Sequence, residues 1–335
     1  MKYRLLLFVL LTVVNPLLSD GQAILDADGP GNTYELINSI FAPGYDAVEN
    51  PECVHPAFGR HIAEVWDSEL GQYAFEFYIH VNPDNDRCIN FDRQRVEIKT
   101  YESSPDSLKG VVGESLTYTW KFRLAAGFQP STSFTHIHQV KAVNGDDADP
   151  IFTLTCRKAT PNKLELIHDN TTKVAIVNLS LFTGTWVEAT ENITVGANGT
   201  YSLLIKRVSD NAILLNYSNS NIMTIRPDND FIRPKWGIYR SLTTPSDLRD
   251  DTIRFAHLTI KEHLTYSFTG SGNWNNVSNW MNNRVPPASI TAGDTILING
   301  AGSCILNIPY KLTAGAKLSV VAGKNFIIQG NLTQQ

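Results

Sequence analysis

Cysteine is scarce in this sequence, and none of the four forms a CxxC pair. A cysteine-ligated zinc site is therefore not expected. There is no block of Lys or Arg, and the formal net charge is −5. That speaks against nucleic acid and against an anionic membrane as partners. It does not speak against a polyanionic substrate, because a local cleft can be basic on an acidic protein. Helical periodicity is sparse, and the stretch Asn32 to Phe41, with Asn32 or Thr33 as cap, is the best helix candidate. Beyond the first few residues no apolar run approaches the ~20 residues of a membrane span, so no membrane insertion is expected.

The beginning of the chain has the order of a secretory signal: Lys2 and Arg4, the apolar run Leu5 to Val14, Pro16, then Ser19, Gly21 and Ala23. Residues 1–23 are read as that signal and the mature protein as secreted, extracellular or at the cell surface. About 312 residues then remain, enough for one large domain and a small one. In an exported chain Cys53 and Cys88 can pair, which requires Cα atoms within about 7 Å. Cys156 reads as a buried thiol, and Cys304 falls in the C-terminal part. Seven N-x-S/T sequons read as the Asn/Thr-rich surface of a β-protein.

What is present is a long series of β patterns. Tyr73 to His80, Thr117 to Leu124, Phe152 to Cys156, Lys163 to Ile167, Trp186 to Ile193, Tyr201 to Arg207, Lys235 to Tyr239 and Ile253 to Lys261 alternate or cluster β-formers. Turn residues such as Asn144-Gly145 and Asn198-Gly199 separate them. Short strands at this spacing give an all-β sandwich or barrel; we expect an antiparallel jelly roll over residues 24–264. The composition changes between Thr265 and Gly272. The short apolar pieces that follow, Thr295 to Ile298, Cys304 to Leu306, Leu318 to Val321 and Phe326 to Ile328, read as rungs of a parallel β-solenoid over residues 265–335. The pattern from Gly272-Asn-Trp through Trp280 and Val285-Pro-Pro resembles modules at the C-termini of exported Bacteroidetes proteins.

Three strands carry candidate chemistry, because residues at i and i+2 share a face. Arg93 to Lys99 puts Arg95, Glu97 and Lys99 together. Phe134 to Lys141 puts His136 and His138 together. Pro234 to Arg240 puts Lys235 and Tyr239 together, with Arg240 following. Each has a plain structural reading as a solvated face or as packing. In combination they suit β-elimination from a uronate, where donors must neutralise the carboxylate and stabilise the enolate-like intermediate. A base must remove the C5 proton and an acid must protonate O4. A tyrosine beside cations suits proton transfer.

These segments resemble the three motifs of the alginate-lyase jelly rolls, polysaccharide lyase family 7, with kinship to the family 20 glucuronan lyases. Arg95-Val-Glu-Ile-Lys99 is similar to R-[ST]-E-[LV]-R, His136-Ile-His138 to Q-[IV]-H, and Lys235-Trp-Gly-Ile-Tyr239 to K-A-G-x-Y. The resemblance implies a polysaccharide lyase with Tyr239 as proton-transfer residue, His138 as alternative base, Arg95 and His136 on the carboxylate, and Lys235 holding a neighbouring charged sugar. Glu97, Lys99, Gln139 and Arg240 join the substrate-binding set. Gln139 should point away from His138, unless a bulge turns it into the amide donor. The departures, His136 for Gln and Lys99 for Arg, leave the polymer open: alginate, glucuronan or another uronate glycan. The expected partner is an anionic polysaccharide, the expected state a monomer, and no cofactor or catalytic metal is expected. Structural calcium near Asp84, Asn85 and Asp86, or near Asp146, Asp147 and Asp149, is the one metal considered.

Two rivals remain. A jelly-roll glycoside hydrolase would use carboxylates in Glu64 to Glu69. A non-catalytic carbohydrate-binding sandwich would use Trp66, Trp120 or Trp236.

Overall fold

The computed structural model describes residues 21–334; residues 1–20, which hold most of the expected export signal, lie outside them. The chain runs β1 (Gln22–Leu25), α1 (Thr33–Phe41), β2 (Val48–Glu49), β3 (Ile62–Asp67), β4 (Gln72–Ile79), β5 (Arg93–Lys99), β6 (Ser115–Leu124), β7 (Thr135–Val143), β8 (Phe152–Arg157), β9 (Lys163–His168), β10 (Thr172–Asn178), β11 (Val187–Thr194), β12 (Gly199–Arg207), β13 (Ile213–Ile222), β14 (Phe231–Ser241) and β15 (Asp251–His263). Two antiparallel sheets result. One has the order β13-β12-β11-β6-β15-β4-β3, with β1 added to β15; the other is β10-β9-β8-β7-β14-β5-β2. This is the expected jelly-roll sandwich. Hairpin neighbours such as β11-β12-β13 and β7-β8-β9-β10 alternate with pairs distant in sequence such as β6-β15 and β5-β14, the crossing connections of such a fold.

Alternation builds the core. Along β6, Leu116, Tyr118, Trp120, Phe122 and Leu124 turn inward and are nearly fully buried. Across from them Trp236 of β14 lies within ring contact of Tyr118, Trp120 and Phe41 of α1. Helix α1 thus closes one edge of the core, and Asn32 occupies its N-cap without a side-chain hydrogen bond. Strand β1 starts at Gln22 and pairs Gln22 and Ala23 with Lys261 and Ile260. The first strand therefore begins inside the segment that the sequence pattern assigns to the signal. The Cys53–Cys88 disulfide is formed, with Cα atoms 6.3 Å apart, and Cys156 and Cys304 are buried free thiols.

From Thr265 the chain changes architecture. The strands β16 (Thr265–Phe268), β17 (Gly272–Asn273), β18 (Ser289–Ile290), β19 (Thr295–Ile298), β20 (Cys304–Leu306), β21 (Tyr310–Leu312), β22 (Lys317–Val320), β23 (Phe326–Ile328) and β24 (Leu332–Gln334) form three parallel three-stranded sheets. Thr295 stacks on Lys317, Cys304 on Phe326 and Tyr310 on Leu332, the same step on each face, which makes a three-sided solenoid. Trp274 and Trp280 are both buried in its core, and Trp280 Nε1 donates to the Trp274 carbonyl at 2.7 Å.

Candidate active site

The three motif strands are neighbours in one sheet, in the order β7-β14-β5. On β5, Val96 and Ile98 enter the core, so Arg93, Arg95, Glu97 and Lys99 stand on the outer face. Strand β14 follows the same rule. Trp236 and Ile238 point inward, and Lys235 and Tyr239 face their cross-strand partners Lys99 and Arg95. Gly237 between them is obligatory. A Cβ there would stand 2.1 Å from the Val96 carbonyl oxygen, and its φ of +149° disfavours other residues.

Strand β7 breaks the alternation and corrects one expectation. Its register slips between His136 and His138 against both neighbours. Ile137 and His138 consequently both turn into the core. His138 lies between Trp120 and Trp236, with ring centroids at 4.3 and 5.4 Å, and its Nε2 meets Glu191 of the opposite sheet at 2.9 Å. His138 and Tyr239 face opposite sides of the sheet, so His138 cannot act as the base. The same bulge brings Gln139 to the outer face, where its Nε2 donates to Glu97 at 2.5 Å.

At one end of the outer face stands Tyr239. The Arg95 guanidinium lies over its ring, 3.7 Å from the centroid. Arg93 Nη1 donates to its hydroxyl oxygen at 3.0 Å, which leaves the phenolic proton free to point elsewhere. Phe134 and His136 flank the ring at 5.1 and 5.7 Å between centroids. These side chains line a cleft, with Asp149, Pro150 and Asn170 opposite. Burial pushes the His136 pKa down to about 3, against a smaller upward pull from Glu97, so its imidazole is neutral at neutral pH. Its Nδ1 has no hydrogen-bond partner.

At the other end the cations are spoken for. Lys235 Nζ contacts Glu49 and lies 2.9 Å from Glu97; Arg95 Nη1 lies 3.1 Å from Glu49 and 2.8 Å from Glu97; Lys99 Nζ lies 2.8 Å from Glu49. Burial alone would raise both carboxyl groups. Lys235 and then Arg95 outweigh it and hold them below the usual carboxylate range. Burial lowers Lys235 to about 8, with Glu97 and Glu49 opposing. Lys235 is thus a buried member of an ion network, which corrects its expected role as a sugar contact. Arg240 is also misplaced by the motif reading. It is fully buried on the opposite face, where Nε donates to Gln94 and Nη1 to the Arg249 carbonyl.

Sequence reasoning missed Arg93, Glu49, Lys141 and Arg233. For three of these a signal existed, since the i, i+2 rule extends from Arg95 to Arg93, from Gln139 to Lys141 and from Lys235 to Arg233. Glu49 sits on a two-residue strand with no pattern to betray it. Lys141 and Arg233 are cross-strand partners, an arrangement that is repulsive on its own. Burial lowers the pKa of both; Arg233 lowers Lys141 further, and Arg95 lowers Arg233, with Glu49 and Glu97 opposing. Nε and Nη1 of Arg233 are buried without a hydrogen-bond partner.

The hydrolase rival fares poorly in this geometry, and of the tryptophans named for the binding rival only Trp66 is at the surface. Glu64 accepts the backbone N–H groups of Asp28 and Gly29, and Asp67 caps a turn and binds Arg254. Trp120 and Trp236 are core residues, while Trp66 is exposed and packs on Tyr73. The calcium candidates do not converge: Asp84 faces histidines, Asn85 caps the Cys88 amide, and Asp86 binds Arg87, Asn90 and Arg95. In the other turn Arg226 is fastened to Asp146 and to the Asp149 carbonyl.

No family model matches the sequence, and no curated protein matches it. Solved structures with a similar fold include an endo-β-1,4-glucuronan lyase from the fungus Trichoderma reesei, 16% identical, TM-score 0.43, covering 65% of this chain and 91% of that one. A family 14 alginate lyase from Aplysia kurodai is 12% identical, TM-score 0.48, with 71% and 97% covered. An alginate lyase from Pseudomonas aeruginosa is 13% identical, TM-score 0.40, with 60% and 86% covered. At such identities and scores the chemistry has to be argued from the side chains themselves.

Proposed function

We propose that this chain is a secreted polysaccharide lyase that cleaves a uronic-acid polymer, of alginate or glucuronan type, by β-elimination at Tyr239. The observation that carries this reading is Tyr239 held between Arg93 and Arg95 beside a neutral His136. Arg93, paired with the exposed Asp92, offers charge to a substrate carboxylate and to the enolate-like state that follows, while Arg95 is held against the ring by Asp86, Glu49 and Glu97. His136 accepts the C5 proton, and Tyr239 gives its proton to the departing O4. The electron pair of the C5–H bond becomes the 4,5-double bond as the C4–O bond breaks, and no water is consumed. Lys141 and Arg233 form a second positive locus suited to the carboxylate of a neighbouring sugar. The chain is read as acting alone, outside the cell.

The test uses Tyr239→Phe, which keeps the ring and removes one proton. On whichever polyuronide of a panel the parent cleaves, its turnover should fall by about two orders of magnitude or more, with an unchanged melting temperature. Full activity in that variant contradicts the assignment.

A further inference from the structure

Away from the Tyr239 cleft, four side chains converge on one point: His55, His61, His80 and Asp84, whose ligand atoms all lie within 4.8 Å of one another. We propose that they bind one late first-row divalent metal ion, zinc by preference, as a structural site. His55 Nδ1 and His61 Nε2 lie 2.8 and 3.2 Å from Asp84 Oδ1, and His80 Nδ1 lies 3.0 Å from Oδ2. Donor atoms around a tetrahedral zinc stand roughly 3.3 Å apart, given Zn–N bonds of about 2.0–2.1 Å. The three contacts lie slightly inside that spacing and the widest donor pair is within 4.8 Å, so small side-chain adjustments bring the set around one ion.

The tautomer of His61 points the same way. Its Nδ1 lies 3.0 Å from the Gly59 carbonyl oxygen, which can only accept, so Nδ1 carries the proton. In the neutral ring Nε2 is then a lone pair, and it faces a carboxylate oxygen with no side-chain exposure at either partner. That contact is satisfied either by a second ring proton, giving an ion pair, or by a metal ion between the two atoms with the ring neutral, and the metal titration below separates the two. A histidine with one nitrogen on a backbone carbonyl and the other on a metal is the usual outer-shell arrangement. Three imidazoles and one carboxylate suit zinc and its neighbours, whereas calcium and magnesium take oxygen ligands. Phe58 packs against all three rings, at 4.3 to 5.3 Å between centroids, and shields the group.

The location gives the site a purpose. Buried Gln94 of β5 donates to the carbonyls of His80, Val81 and Asp84. The Asp84 loop also carries Asp86, whose Oδ1 meets Arg95 Nε at 2.9 Å, and Cys88, which is bonded to Cys53 beside His55. A metal here fastens the same two loops as the disulfide and holds Asp86 against Arg95.

The proposal stands whether or not the cleft is a lyase, because its test reads metal. The untagged, disulfide-intact full chain is loaded with Zn²⁺, dialysed and analysed for elements. About one zinc per chain is expected, falling at least tenfold in His55→Gln/His80→Gln, a pair at the exposed side of the site. Retention of no metal, or retention unchanged by that variant, overturns the proposal. Metal-stripped parent titrated with Co²⁺ should develop the intense visible bands of four-coordinate cobalt; the weak bands of six-coordinate cobalt also overturn it.

Discussion

The two ends of the outer face of β5, β7 and β14 use the same residue types to opposite effect. At the Lys235 end, cations and carboxylates neutralise one another: Lys235, Lys99 and Arg95 close on Glu49 and Glu97. At the Tyr239 end, Arg93 is paired with the exposed Asp92 and still reaches a phenol oxygen, and His136 keeps an unpartnered nitrogen beside the ring. A buried charge enclosed by its partners holds backbone in place; a cation whose carboxylate partner is exposed to water, like Arg93, can still turn to a ligand. The first end braces the strands, and the second is where chemistry is expected.

The largest effect that could break this division is at Lys235. Lys235→Met leaves Glu49 and Glu97 buried with their main partner gone, which costs about 3–5 kcal/mol. Chemical denaturation should show that loss. A variant that folds as stably as the parent but binds polymer weakly would return Lys235 to the role of a sugar contact. Next comes the acid limb of stability. The His136 pKa is depressed from 6.5 to about 3, so between those values the unfolded chain binds the extra proton. Stability is therefore present above about pH 6.5 and drains away as the pH falls toward 3. His136→Gln should remove this component, on the order of a few kcal/mol at the acid end. An acid limb that is the same in the variant would mean the imidazole is not desolvated. Smallest is Lys141→Ala. It relieves the repulsion with Arg233, so stability should hold or rise slightly, while KM for a polyuronide rises roughly fivefold to tenfold and becomes less salt-dependent. A KM that does not move would remove Lys141 from the binding surface.

The sequence already told much of this. Strand periodicity gave the sandwich and the short apolar pieces gave the solenoid, because both signals are local. The i, i+2 rule correctly grouped Arg95, Glu97 and Lys99 and set Tyr239 beside them. It failed at His138 because alternation assumes regular pairing, and the slip between His136 and His138 depends on what β8 and β14 place opposite. It failed at Lys235 because burial of a cation depends on Glu49, which arrives from a two-residue strand far upstream. The convergence of His55, His61 and His80 on Asp84 was likewise invisible, since two loops and the end of β4 meet only in three dimensions.

The central claim is elimination at the Tyr239 end, and the products of the parent enzyme test it most directly. Elimination leaves each new non-reducing end with a 4,5-double bond, absorbing in the ultraviolet and lighter by one water than the fragment hydrolysis would give. Fragments of a polyuronide with that absorbance and that mass are the expected result. Saturated fragments carrying the added water, or polymer bound but left whole across the panel, would contradict it.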